Sequence, residues 1–398
     1  MLRSSYLKVD RTLKQLRRLF FCLTHTLATR KINVYTLAQK KAAMEKEPYS
    51  KNSVNTLNNF DIIRLFAALE VAISHTASHL NIELPAIFQI LSYFPGVPIF
   101  FFISGYLIYQ SYSNIQEAKI KVFFTNRFLR LYPALFFCFF ITILSLYLSG
   151  YLKTQDYTLK DFAVWTFTSL TFFQFYNPDF LRAYGVGAIN GSLWTISVEL
   201  QFYILTPLLY ILYRKYKKAS IATALILILA NLANTFLNDK SSIVTKLIGV
   251  SFAPWFYMFM AGAYISTNQK IQKKILSVNA YAYLILYVAS YFIASKYSFG
   301  TGNGINVVSY ILLCFLVFKL AYTQPTLSRK LLGGNDISYG IYIYHMPIVN
   351  LMLFYGIQAT ASSFMISILA TVSIAIISWY LIEKPSLKLK RIALRKYA

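Results

Sequence analysis

Asp61-Ile-Ile-Arg64-Leu-Phe-Ala-Ala-Leu-Glu70-Val-Ala-Ile-Ser-His75 carries an arginine near one end of an apolar helical pattern and a histidine near the other. His75 lies eleven positions after Arg64. At 100° per residue the rotation is roughly 1100°, three turns plus about 20°, so both side chains face the same way, about 16 Å apart along the axis. Ionisable groups stacked on one face of a membrane helix cost free energy unless they face a protein interior or a wet cavity. A functional site is therefore the first expectation for this pair.

The surrounding chain fits a membrane setting. Of its 398 residues 57% are hydrophobic, 17% aromatic and only 13% charged, against about 25% charged in a soluble domain; the mean hydropathy is +0.50. The net charge of +25 arises from 39 basic and 14 acidic residues. The basic residues sit between apolar runs, as cytoplasmic loops do, so they point to anionic lipid and not to nucleic acid. Cys22, Cys138 and Cys314 are far apart in apolar surroundings, with no Cys-x-x-Cys and no Cys/His cluster, which argues against disulfides and zinc. The run Leu19-Phe-Phe-Cys-Leu23 is too short for a signal-peptide core.

Residues 1–57 read as a basic cytoplasmic extension with an interfacial helix around 11–30, unless Met44 is the true start. The expected fold is all-α, an integral membrane bundle of about ten transmembrane helices. The spans read as 60–80, 91–112, 128–149, 192–213, 219–238, 243–266, 278–296, 305–323, 338–357 and 362–382, forming a membrane domain over 58–390 with a basic tail at 391–398. Lys119, Lys121, Arg127 and Arg130, then Arg214, Lys215, Lys217 and Lys218, then Lys270, Lys273 and Lys274, fall on one side only if both termini are cytoplasmic. Arg329, Lys330 and the terminal basic run join them. That arrangement requires 161–176 to be a re-entrant or interfacial segment on the outer side.

On this topology Arg64 lies near the cytoplasmic end of the first span and His75 in its outer half. Arg127-Phe-Leu-Arg130 starts the third span on the cytoplasmic face with both guanidiniums on one side of the helix. Such forks suit a phosphate-bearing ligand, although positive-inside anchoring alone also places arginines there.

These residues carry a resemblance. The chain resembles the acyltransferase family 3 membrane proteins, which include O-antigen and other surface-glycan O-acetyltransferases. Arg64 and His75 meet the family's Arg-x10-His motif, and Arg127 and Arg130 its Arg-x-x-Arg motif. Gly96-Val-Pro-Ile-Phe-Phe-Phe-Ile-Ser104-Gly105-Tyr-Leu-Ile is similar to its second-span signature. Ser192-Leu-Trp194-Thr-Ile-Ser197-Val-Glu199-Leu-Gln201-Phe-Tyr203 is similar to its Leu-Trp-Ser-Leu-Ser-Val-Glu-Glu-Gln-Phe-Tyr block. Ile337-Ser-Tyr-Gly-Ile-Tyr-Ile-Tyr-His345-Met-Pro347 and Glu383-Lys-Pro385 also fit, so the match runs in order from about 58 to 390. Leu200 replaces a frequent second Glu, and Pro98 stands where an acidic residue is common.

The resemblance implies transfer of an acyl group, most commonly acetyl, from cytoplasmic acyl-CoA (acetyl-CoA) to a carbohydrate hydroxyl, free or lipid-linked. The acceptor would be a surface polysaccharide such as lipopolysaccharide O-antigen, capsule or exopolysaccharide, and the location the bacterial inner membrane. No metal is implied. Arg127 and Arg130 would bind the CoA phosphates, and the thioester would arrive near His75. Imidazole titrates near neutrality and can take a proton from a hydroxyl, so His75 is the expected general base, or else an acyl-carrying nucleophile. Arg64 would bind the donor or stabilise negative charge. Glu199 would orient His75 or hold the acceptor.

Other charged residues are expected to be structural. His79, one turn beyond His75, reads as interfacial and not as half of a metal pair. Glu70 should pair with another helix. His345, placed in the inner half of its span, reads as packing or donor binding more than catalysis, and Glu383 as a helix-end ion pair. The loop Gly300-Thr-Gly-Asn-Gly304 is no phosphate cradle, since no Lys-Ser/Thr follows. The competing function is a lipid-linked glycan transporter or polymerase, which also needs many spans and buried charges.

Overall fold

In the computed structural model the opening stretch is one unbroken helix, α1 (Phe60–His79). The structure describes residues 57–115, 119–216, 243–357 and 359–397, with a few isolated positions between 217 and 242. The expected extension over 1–57 (Leu57 apart), its interfacial helix and the 219–238 span lie outside the described residues, as do the side chains of the 391–398 tail.

After α1, a one-turn helix at Ala86–Gln89 leads through a 3-10 turn into α2 (Gly96–Asn114). Then come α3 (Lys119–Leu148), the short α4 (Leu159–Ser169) and α5 (Trp194–Lys215). The second half contains α6 (Ile243–Gly249), α7 (Phe256–Thr267), α8 (Gln269–Ser277), α9 (Ala280–Lys296) and α10 (Val307–Tyr322). It closes with α11 (Leu327–Leu332), α12 (Ser338–Phe354), α13 (Ala361–Ser378) and α14 (Lys384–Tyr397). A π-helical turn, Trp379–Glu383, joins α13 to α14. No strand occurs among the described residues.

Nine of the ten expected spans coincide with helices in this order. By length and composition, however, three helices among the described residues can cross a membrane: Lys119–Leu148, Gly191–Lys215 and the continuous run Ala361–Lys390. The number rises to six if each bent pair is one span. The rest fall short for identifiable reasons. α1 carries Asp61, Arg64 and Glu70, and α10 and α12 are 16 and 17 residues long. The expected 243–266 span is broken into α6 and α7, which meet at 49°, and α8 lies at 91° to α9. α4, with 11 residues, is about 16 Å long, half the thickness of a bilayer core, and fits the short, non-crossing piece expected near 161–176.

The outer faces are apolar. Phe140, Leu144 and Leu148 on α3, Leu208 and Ile211 on α5, and Leu369 on α13 are all exposed. Soluble surfaces seldom show such continuous apolar faces, and they suit a membrane protein.

Two contacts set the interior geometry. α2 packs on α7 with backbones nearly touching. A Cβ on Gly105 would sit 1.9 Å from the Phe259 carbonyl oxygen, and one on Gly262 would sit 2.1 Å from that of Phe102. The Ser104-Gly105 signature is thus a packing requirement between two helices. Glu70, as expected, joins another helix: its carboxylate accepts the Gly96 N–H at 2.8 Å at the start of α2, where a negative charge is favourable. The Ser74 hydroxyl donates to the same carboxylate. α12 lies against α1 and α13 at the centre.

Gly105→Val should force α2 and α7 apart and cost about 1–3 kcal/mol or more. Reduced accumulation in the membrane fraction and a lower unfolding temperature of the solubilised protein would show it; wild-type behaviour would refute the packing argument.

Candidate active site

Asp336, in the loop before α12, draws the motif arginines together. Its Oδ2 lies 3.1 Å from Nη2 of Arg64 and closer still to Nη2 of Arg130. Its Oδ1 accepts the Ser338 N–H at 3.2 Å and the Ser338 hydroxyl. Arg64 also pairs with Asp61, one turn earlier on α1. Glu383, 1% exposed, places Oε2 4.0 Å from Nη1 of Arg130 and accepts the Ser378 hydroxyl at 3.2 Å. It sits inside the network, beyond the helix-end pair expected from sequence. Burial pushes the Asp336 carboxyl up, but Arg64 and Arg130 outweigh it and hold the group down to about 2. A neighbouring loop residue, Asn335, accepts the Trp379 indole N–H at 2.9 Å and the Lys384 ammonium at 3.0 Å. The π turn thereby presents both Trp379 and Glu383 inward, a known use of such turns.

Above this network is a cavity of about 370 Å3. Arg64, Arg127, Arg130, Glu199, Asp336 and Lys390 supply its charged walls. The two arginines of the Arg-x-x-Arg pair differ sharply. Arg130 is neutralised by Asp336. Arg127 donates to the Ser111 hydroxyl at 3.1 Å and lies 5.6 and 5.7 Å from the Phe123 and Tyr203 rings, while its Nε has no partner among the described residues. No ion pair to Arg127 or Lys390 occurs among the described residues. Lys390 lines the same wall as Arg127.

Glu199 also faces the cavity and accepts the Tyr203 hydroxyl at 2.6 Å. It makes no hydrogen bond to His75 among the described residues. Glu199 shares the cavity walls with Arg64, Arg127 and Arg130.

His75 belongs to a second group, behind an aromatic wall. Phe100 and Tyr342 close the cavity, edge to face at 5.4 Å. The Tyr342 hydroxyl bonds Thr195 Oγ1 at 2.7 Å and the Ser192 carbonyl at 3.2 Å. The Tyr342 ring meets His345 at 6.1 Å. His345 is fully buried, with Nε2 3.0 Å from Nδ1 of His75 and Nδ1 3.3 Å from the Ile341 carbonyl. His75 itself is half-buried, with the His79 ring 5.9 Å away. His345 is therefore level with His75 and not deep in the inner half of the bundle. Arg64 and His75 do share a face of α1: the first meets the loop before α12, the second meets α12 itself.

Sequence reasoning missed Asp336 and Lys390. Asp336 had a signal: a lone acidic residue in a basic loop just before an apolar span, two residues ahead of Ser338. Lys390 had none, being one basic residue among many in its segment.

Residues 57–383 match a family model described as an acyltransferase domain. Nodulation protein 10 of Rhizobium leguminosarum bv. viciae is 31% identical over 361 residues, covering 86% of this chain and 96% of the relative. An O-acetyl transferase of Shigella phage Sf6 is 28% identical, covering 82% and 95%. The O-acetyltransferase OatA of Staphylococcus aureus (strain NCTC 8325 / PS 47) is 25% identical over 83% of this chain, which spans 57% of that longer protein. No solved structure matches the chain.

Asp336→Asn should destabilise the protein by about 3–5 kcal/mol, because it strands buried guanidiniums. The folded-state value of Asp336 is depressed, so its contribution is complete above the ordinary carboxylate range and is lost only as pH falls through about 2. The gap in unfolding temperature between wild type and Asp336→Asn should therefore be the same at pH 7 and pH 5. A gap that closes at pH 5 would contradict this assignment.

Proposed function

The chain belongs to acyltransferase family 3, and on that premise we propose that it is a membrane O-acetyltransferase that moves an acetyl group from cytoplasmic acetyl-CoA to a hydroxyl of a surface glycan. The observation that carries this reading is the alignment along α1 of a cationic cavity at the Arg64 end with a half-buried histidine about 16 Å away. The phage and staphylococcal relatives, both O-acetyltransferases by name, support the choice of acetyl and of oxygen as the receiving atom.

In this reading the thioester substrate supplies the activated acyl group and enters from the cavity. Arg127 and Lys390, the wall cations without a carboxylate, bind its phosphates; guanidinium and ammonium groups are suited to that task. Arg64 and Arg130 contribute field, but Asp336 cancels much of their charge, so their first role is to hold α1, α3 and α12 in register. His75 removes the proton from the acceptor hydroxyl at the far side of the Tyr342 wall. Glu199 acts on the donor side, positioned by Tyr203. The bundle lies in the inner membrane with the cavity open toward the cytoplasm.

His75→Ala should abolish acetylation of the cell's glycan while the protein accumulates normally. Mass analysis of the purified glycan reads the result: retained acetyl would overturn the reading, and altered chain length or export with unchanged acetyl would favour a transporter or polymerase. Arg127→Ala and Lys390→Ala should each raise the KM for acetyl-CoA by about 10–100-fold, the loss of a hydrogen bond to a charged group. An unchanged KM in membrane vesicles would remove these residues from the donor site.

A further inference from the structure

The imidazole contact between α1 and α12 determines which nitrogen of His75 is available. His345 Nδ1 lies 3.3 Å from the Ile341 carbonyl, one turn back on its own helix. A carbonyl only accepts, so Nδ1 of His345 carries the hydrogen. In the neutral ring, Nε2 then has a lone pair. That nitrogen is 3.0 Å from Nδ1 of His75, so His75 Nδ1 is the donor of the pair. The Nε2 of a neutral His75 is left with the free lone pair.

We infer that His345 is a positioning residue that fixes His75 in the Nδ1–H tautomer and so makes Nε2 of His75 the proton acceptor for the incoming hydroxyl. This rests on the reading of His75 as general base. The surroundings are built to hold the arrangement. His345 has no exposure, and the Tyr342 ring, anchored through its hydroxyl to Thr195 and Ser192, blocks it on the cavity side. His75, by contrast, keeps partial exposure. One imidazole is locked and dry, and the other is oriented by it and reachable.

The step balances without another reagent. The acceptor O–H bond breaks toward Nε2 of His75 as the oxygen bonds to the acyl carbon. The C–S bond of the thioester then breaks, and the proton on Nε2 goes to the departing sulfur, leaving an O-acyl glycan and a thiol. During the step the positive charge on the His75 ring is delocalised toward its Nδ1–H, which His345 Nε2 accepts. A neutral acceptor at that position orients the ring without holding a permanent charge inside the bundle, where an unpaired carboxylate would be expensive.

The test uses membrane vesicles carrying the full chain, labelled acetyl-CoA, and counts of label transferred into the cell's own glycan per unit of inserted protein. His345→Leu should lower maximal turnover by roughly 100-fold, the lower range of a general base's contribution, with the KM for acetyl-CoA unchanged. His345→Gln, whose amide oxygen can take the place of Nε2 and accept from His75, should retain most of the turnover. His345→Asn, whose shorter amide reaches only the Nδ1 side, should not. The Gln-to-Asn comparison decides the matter even if His345→Leu fails to accumulate. Equal turnover in Gln and Asn variants, or a loss seen in KM instead of turnover, would overturn the inference. The two readings separate through His75→Ala: activity there removes the base itself, whereas an inactive His75→Ala beside a fully active His345→Leu removes only the positioning role.

Discussion

Asp336 is the one carboxylate on which the site depends. It is buried between guanidiniums from α1 and α3 at the start of α12, so three parts of the chain remote in sequence share one counter-ion. Burying either arginine alone would be costly. The loop that carries Asp336 is in turn fixed by Asn335, which takes hydrogen bonds from Trp379 and Lys384 across the π turn. The charged floor of the cavity is thus tied to the last helical run of the bundle, and that run brings Lys390 to the wall.

Much of the fold was legible because apolar length and clustered basic charge are direct consequences of a membrane setting. The axial spacing of Arg64 and His75 was legible for a similar reason: helix periodicity is rigid over three turns, and α1 has no break. Partnerships across helices were not. Nothing in the spacing of Arg127 and Arg130 says that one is neutralised and the other is not, since that depends on Asp336, some 200 residues away. The contact of His345 with His75 was not legible, because a helix's starting depth cannot be read from its own sequence. The loop of Asp336 begins α12 beside Arg64, which lifts His345 to the level of His75. The partner of Glu199 in the structure, Tyr203 one turn along α5, is a local bond that the sequence block alone did not single out.

The site divides into two compartments with different physics. The cavity is charged and suited to an anionic, flexible ligand. The histidine pair joins one buried and one half-buried imidazole, with no carboxylate bonded to either among the described residues. Tyr342 belongs to both, since its ring touches His345 while its face closes the cavity. On the proposed reading, donor recognition and proton transfer can therefore be altered independently, except at this residue.

The Tyr342 wall also bears on proton leakage. A polar path running unbroken from the Arg64 end to the exposed edge of His75 would conduct protons through a bundle lying across a membrane. Phe100 and Tyr342, pinned by Thr195 and the Ser192 carbonyl, interrupt that path with an aromatic plug. Any relay of protons between the two compartments would have to pass these two rings.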